Sequence, residues 1–231
     1  MIVRERADSF VLVGQHEHAL VSGEFARRWV EEPVPLGPTL YAVENHDVGW
    51  LEPDGEVLWN EASGRPHSFV DYPPGPKLET WRRGIERVEA RDAYAGCLCS
   101  MHYSRFLLGS DNPTEVEFRE REATRQERLR ASMSPAELES LERNFRFLRL
   151  CDGLSLYLFL YGPGEAGYPP PTPDGFEFDG ERFDLVWESR DHVRLEPFAL
   201  TEPFDVSVPY REVDKDRRPM GGGVLEFRVS G

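Results

Sequence analysis

The chain has 231 residues, 39% of them hydrophobic and 12% aromatic, enough apolar material to bury a core without disulfide staples. A formal net charge of -15 with no local basic patch argues against a nucleic-acid partner, because a phosphate backbone would be repelled at long range. No apolar run approaches the ~20 residues of a membrane helix, and the charged opening Met1-Ile2-Val3-Arg4-Glu5-Arg6 is unlike a signal peptide, so a cytoplasmic protein without membrane contact is expected.

Met1 to Arg4 and Ser9 to Val13 read as two short strands around a turn at Ala7-Asp8. A helix is predicted from Gln15 to about Glu32, where Pro33, Pro35, Gly37 and Pro38 break it, and a second from Thr39 to Val48, stopped by Gly49. Residues 51–78 carry closely spaced prolines and glycines with no helical period and read as a long ordered loop. Helical pattern resumes from Leu78 to Leu108 and is broken by Asp111-Asn112-Pro113.

From Thr114 to Ala131, Glu and Arg alternate at i,i+4 spacing, the signature of a solvated helix. Ser134-Pro135-Ala136-Glu137 is a capping box with proline at the first helical position, opening a helix towards Arg146 that continues, or is followed by another, through Tyr161. Beyond it the glycine- and proline-rich stretches at 162–164 and 169–171 lead to short strands around 176–178, 182–188, 192–196, 204–209 and 224–229, for which the N-terminal pair is the obvious source of sheet partners.

Cys97, Cys99 and Cys151 are odd in number, and the first two point to opposite sides of a helix, so they read as reduced core thiols. The histidines and aspartates are more informative. His18 shares a helical face with Ser22, Phe25, Ala26 and Trp29 and points inward, whereas His16 lies about 200° round the wheel. Val43, His46, Asp47 and Trp50 fall on one apolar face of the second helix, and Asp152 interrupts the stripe of Phe145, Leu148, Leu156 and Phe159.

Two inward carboxylates with no inward lysine or arginine nearby call for a cation, since burying them unpaired is costly. Neutral imidazole and carboxylate oxygen suit a divalent ion such as Mn, Fe, Zn, Ni or Co, which gives His18, His46, Asp47 and Asp152 as the metal ligands. His102, on a face with Ala95, Leu98, Cys99 and Phe106, is a further candidate, as ligand or as proton-transfer group. Lys77, Arg82, Arg83 and Arg105 are able to bind a phosphate but read first as solvated surface, and Trp50 and Trp81 read as core rather than substrate-stacking platforms.

The order His18, then His46-Asp47, then Asp152, each on a separate helix, resembles the HD-domain superfamily of metal-dependent phosphohydrolases. More narrowly, Gln15-His16-Glu17-His18-Ala19, Ser22-Gly23, His46-Asp47-Val48-Gly49-Trp50, Gly64-Arg65-Pro66 and Asp152-Gly153-Leu154-Ser155-Leu156 look like an uncharacterised bacterial family of that fold. The resemblance implies an α+β chain with a mainly helical HD-like core over residues 1–161, which includes the N-terminal β-hairpin. From the strand pattern itself, residues 162–231 are expected to pack on that core as a small antiparallel β appendage completed by the N-terminal hairpin. The resemblance also implies metal-assisted hydrolysis of a small phosphoester, a phosphorylated metabolite or nucleotide, with His102 and Asp47 as catalytic groups. Val48-Gly49-Trp50 stand where many active members carry lysine or glutamate, which leaves two alternatives open: a non-catalytic protein that holds the ion for binding or scaffolding, and a metal-free buried hydrogen-bond network.

Overall fold

The structure, a computed structural model, describes residues 1–160 and 176–231; the predicted connector at 162–164 and 169–171, and with it the predicted boundary after residue 161, lies outside the described residues. Strands β1 (Ile2–Glu5) and β2 (Ser9–Val13) form the expected hairpin and run into helix α1 (Gln15–Arg28), followed by α2 (Leu36–Asn45). After short 3-10 turns at Val48–Leu51 and Pro53–Gly55 comes a two-stranded ribbon, β3 (Trp59–Asn60) and β4 (Arg65–Pro66). The helical body is completed by α3 (Pro74–Glu89), α4 (Ala93–Ser104), α5 (Pro113–Arg130) and α6 (Pro135–Leu160). The last part is extended: β5 (Glu177–Phe178), β6 (Glu181–Arg182), β7 (Asp184–Trp187), β8 (His192–Glu196), β9 (Phe204–Asp214) and β10 (Pro219–Ser230).

The sheet corrects the fold expected from sequence. It is a curled six-stranded sheet in the order β1-β2-β9-β10-β8-β7, and the chain is about 49% helix and 24% strand, so the sheet is a principal layer and not a small appendage. Nor is it purely antiparallel, because β10 runs parallel to β8, with Val229 opposite Val193. The cause of the misreading is local. Pro209 and the Gly221-Gly222-Gly223 run resemble strand breakers, yet Pro209 sits in register with Val224 inside an eleven-residue strand. Gly222 is required there, since a Cβ would stand 2.2 Å from the Tyr210 carbonyl oxygen.

Alternation along the long strands separates two faces. Phe204, Val206 and Val208 of β9, Val193 and Leu195 of β8 and Phe227 and Val229 of β10 are buried, and edge-on ring contacts join Phe204 to Phe25 of α1 at 5.1 Å. β2 is buried along its whole length, because Phe10 and Leu12 of its other face are covered by Trp59 from the long loop, with Phe10 and Trp59 rings 5.8 Å apart. That loop is thereby tied to the sheet, with the Phe69 amide donating to the Met1 carbonyl.

Several helix boundaries differ from the sequence reading, α1 among them, which ends at Arg28 rather than near Glu32. α2 starts at Leu36 and ends at Asn45, so Asp47 lies beyond the helix with φ -105° and ψ 17°. The predicted helix from Leu78 to Leu108 begins earlier, at Pro74, and is two helices broken at 90–92, where the Asp92 side chain caps α4 by accepting from the Ala95 amide. α6 is continuous over 26 residues and opens on the predicted box, in which Ser134 and Glu137 bond reciprocally. The Glu/Arg helix α5 is not uniformly wet: Glu122 is fully buried, accepting from the Ser100 hydroxyl and paired with Arg125. No described helix is long and apolar enough to cross a membrane.

Candidate metal centre

The predicted residues converge. α1 delivers His18, the turn after α2 delivers His46 and Asp47, α4 delivers His102 and the middle of α6 delivers Asp152, all five buried. The turn at Asp47 is pinned from behind, because Gly49 packs so tightly on α3 that a Cβ would lie 2.3 Å from the Thr80 carbonyl oxygen. Close backbone contact there accounts for Gly49 and holds the His46-Asp47 peptide against the helical body.

His18, His46 and Asp152 each offer one donor atom, and the three atoms lie within 4.8 Å of one another. His46 Nε2 is 3.4 Å and His18 Nε2 4.0 Å from Asp152 Oδ1. Donors bound to one ion at about 2.1 Å stand roughly 3.0–3.4 Å apart, so the His46–Asp152 pair already has that spacing and His18 would have to close in to complete the set. Asp47 Oδ2 adjoins both imidazoles, 3.0 Å from His18 Nε2 and 3.9 Å from His46 Nε2, but is not in the three-residue set. His102 lies one step further out, its Nε2 3.9 Å from Asp152 Oδ2 and its ring 5.0 Å from that of His46.

Hydrogen bonding fixes which face of each ring points inward. His46 Nδ1 is 2.7 Å from the Val43 carbonyl oxygen, which can only accept, so Nδ1 carries the proton. His18 Nδ1 is 2.7 Å from Ser155 Oγ, which also lies 3.0 Å from the His18 carbonyl oxygen and 2.9 Å from Ser22 Oγ, so a hydroxyl pair anchors this side of the ring. Both Nε2 atoms therefore face carboxylates, and His46 Nε2 is buried without a hydrogen-bond partner. A neutral His46 would set its Nε2 lone pair against an anionic oxygen; only an extra proton or a cation relieves this.

The electrostatics agree. Burial alone would depress the His46 imidazole, but Asp47 and Asp152 outweigh it and raise its pKa to about 9. Burial would raise the Asp47 carboxyl, yet His46, His18 and Tyr103 hold it down to about 2, and Asp152 is likewise depressed, chiefly through His46 and His102. His102 goes the opposite way, pushed well below its ordinary value by burial despite the neighbouring Asp152. Its Nδ1 is buried with no hydrogen-bond partner.

Three contributors escaped the sequence reading. Gln15 Nε2 donates to Asp47 Oδ2 at 2.8 Å, and the Tyr103 hydroxyl donates to Asp47 Oδ1 at 2.5 Å. Arg105, read as surface, reaches in and places Nη2 3.4 Å from Asp152 Oδ2, so the inward carboxylates do have one arginine beside them. Arg105 follows the last residue of α4 and heads a 3-10 turn, which the periodicity of the helix does not reveal. Replacing Tyr103 by phenylalanine is expected to cost roughly 1–3 kcal/mol by removing a donor from a buried carboxylate. Urea unfolding checks this, and a variant as stable as wild type would show that the hydroxyl does not support Asp47.

A cavity of about 720 Å³ opens onto the cluster, with Asp47, Asp152, His102 and Arg105 on its lining. It is thus reached through the carboxylates, while His18 and His46 stand behind them. Of the three donors only Asp152 lines the cavity, with Asp47 beside it, so an ion held there would meet the open space on its carboxylate side, where a further ligand could enter.

Against families of known proteins, the chain matches DUF3891, a family described as proteins of unknown function, over residues 1–215, and it belongs to that family. No curated protein and no solved structure matches it. The His18, His46 and Asp152 cluster is compatible with an HD-like site.

Proposed function

We propose that this member of the DUF3891 family is an HD-like metal-dependent hydrolase of small phosphoesters. The observation that carries the reading is the junction of the His18, His46 and Asp152 cluster with the 720 Å³ cavity, which leaves one side of the donor set facing space that a substrate can fill. A divalent ion held by these three residues, with Asp47 as the adjoining fourth carboxylate, would polarise a phosphoryl oxygen and make water acidic.

The remaining roles belong to the chain itself. Burial holds His102 uncharged on the cavity lining beside Asp152, so its imidazole would accept a proton from an attacking water and pass it to the leaving alkoxide. Asp47 remains ionised under its hydrogen bonds from Gln15 and Tyr103 and orients the donors around it. Arg105 brings a positive charge to the cavity floor beside Asp152. Three buried free thiols, Cys97, Cys99 and Cys151, suit a reducing compartment such as the cytoplasm.

The test is release of phosphate from a phosphoester panel by protein loaded with Mn, Fe, Co, Ni or Zn. His102→Gln is expected to lower kcat by about 100-fold or more while leaving the ion content unchanged. Failure of the loaded wild type to cleave any ester would overturn the reading in favour of a protein that holds the ion without a reaction, and an unaffected His102 variant would remove that residue from the chemistry.

A further inference from the structure

We infer that the cleft selects phosphomonoesters of an apolar body, aryl or short alkyl, over polyphosphates and sugar phosphates, and that Arg105 is the residue that reads the phosphate. The inference rests on the phosphoester reading of the metal centre and narrows it. Polar groups and apolar walls are segregated. Asp47, Asp152, His102 and Arg105 gather at the floor, whereas Trp50, Phe69, Trp81, Phe106, Leu156 and Leu160 form much of the wall. At the mouth Val70 is 66% and Phe106 51% exposed, so an apolar body meets apolar surface on entry.

Charge sets the number of phosphoryl groups. The lining carries three carboxylates, Asp47, Asp152 and Glu115, against two cations, Arg105 and Lys77. Lys77 already donates to the Val70 carbonyl, lies over the Trp81 ring and is balanced by Glu115 and Asp71. A divalent ion therefore leaves the cavity one positive charge in excess, which matches a phosphomonoester carrying about -1.5 to -2. Each further phosphoryl group adds negative charge that only Lys77, already donating to Val70 and close to Glu115, would oppose. Sugar hydroxyls fare badly for a related reason, since they would be desolvated against walls that offer few partners.

Arg105 has the geometry of a phosphate reader. Its guanidinium is stacked over the Phe106 ring, 4.1 Å from the centroid, and held towards the floor by Asp152. Its Nε is buried with no hydrogen-bond partner, a donor left over beside the cavity. Planar guanidinium donors match phosphate oxygens in pairs, which a lysine ammonium does not do.

Two measurements on the metal-loaded protein test this. First, initial rates with 1-naphthyl phosphate, hexyl phosphate, a hexose phosphate and a nucleoside triphosphate should give kcat/KM at least about tenfold higher for the first two. Second, calorimetric titration with non-hydrolysable 1-naphthylphosphonate should show binding to wild type, weakened about 10- to 100-fold in Arg105→Gln and nearly as much in Arg105→Lys. The lysine variant keeps the charge and so guards against a folding defect. Preference for the hexose phosphate or the triphosphate would overturn the inference while leaving a phosphohydrolase standing. Absence of phosphonate binding, or binding indifferent to Arg105, would also overturn it. Arg105-dependent phosphonate binding without cleavage of any ester would support the cleft assignment and sink the hydrolytic reading instead.

Discussion

Asp152→Asn is expected to abolish ion binding at micromolar concentrations and to destabilise even the metal-free protein by about 3–5 kcal/mol, the range for removing one partner of a buried charge pair. Asp152 is 2% exposed, and its two oxygens face His46 and His18 on one side and His102 and Arg105 on the other. Without the carboxylate, the His46 imidazolium and the Arg105 guanidinium lose the charge that offsets their burial. The amide keeps the shape of the carboxylate, so the loss does not come from a cavity. Urea unfolding in chelator and in excess metal separates the two effects. Wild type should gain stability with the ion, about 2.7 kcal/mol at a hundredfold excess over Kd, and the variant should gain nothing. A variant as stable as wild type in chelator would mean that the cluster is not a charged network.

The second large effect is on pH dependence. In the metal-free protein His46 carries a proton on Nε2 up to about pH 9, and Nε2 is the same atom that must face the ion, because Nδ1 is committed to the Val43 carbonyl. Binding at neutral pH therefore releases about one proton per ion, and affinity should strengthen about tenfold for each pH unit up to 9. Stability of the metal-free chain follows the opposite sign at the alkaline end. The folded pKa of His46 lies above its ordinary 6.5, so its contribution is complete below 6.5 and is lost as pH rises through about 9. Asp47, depressed from 3.8 to about 2, contributes fully above 3.8 and loses its contribution as pH falls through 2. The gap in Tm between metal-loaded and chelated protein should consequently widen from pH 6 to pH 9. Calorimetry in two buffers of different ionisation enthalpy counts the protons directly, and a count of zero at pH 7 would contradict the assignment of His46.

The candidate site was more legible in the sequence than the fold. Inward placement of His18 and Asp152 follows from helical spacing, because Asp152 lies well inside the long helix α6 and His18, in the first turn of α1, shares its face with Ser22, Phe25 and Ala26. His46 and Asp47 also point inward, but not as residues of one helical face. The helix ends at Asn45, just before them, and the close approach of Gly49 to α3, which depends on Thr80, 31 residues away, decides their direction. Gln15, Tyr103 and Arg105 were missed because their roles exist only once α1, α4 and the His46-Asp47 turn have assembled.

The sheet was underestimated for a physical reason of the same kind. Strand length was judged from local breakers, whereas Pro209 and Gly222 are accommodated by cross-strand geometry at Val224 and Tyr210 that no local window contains. Buried Glu122 makes the same point in the charged helix α5, since its partners Ser100 and Arg125 come from a neighbouring helix and from one turn away. Local pattern places a residue on a face; what that face meets is a tertiary fact.

Equilibrium dialysis of folded, chelator-stripped protein against Mn, Co or Zn, followed by elemental analysis, tests the central claim most directly. The account predicts one ion per chain, and less than a tenth of that in His46→Gln with its circular dichroism preserved. A folded wild-type chain that retains no divalent ion, or a His46→Gln variant that retains a full equivalent, would contradict it.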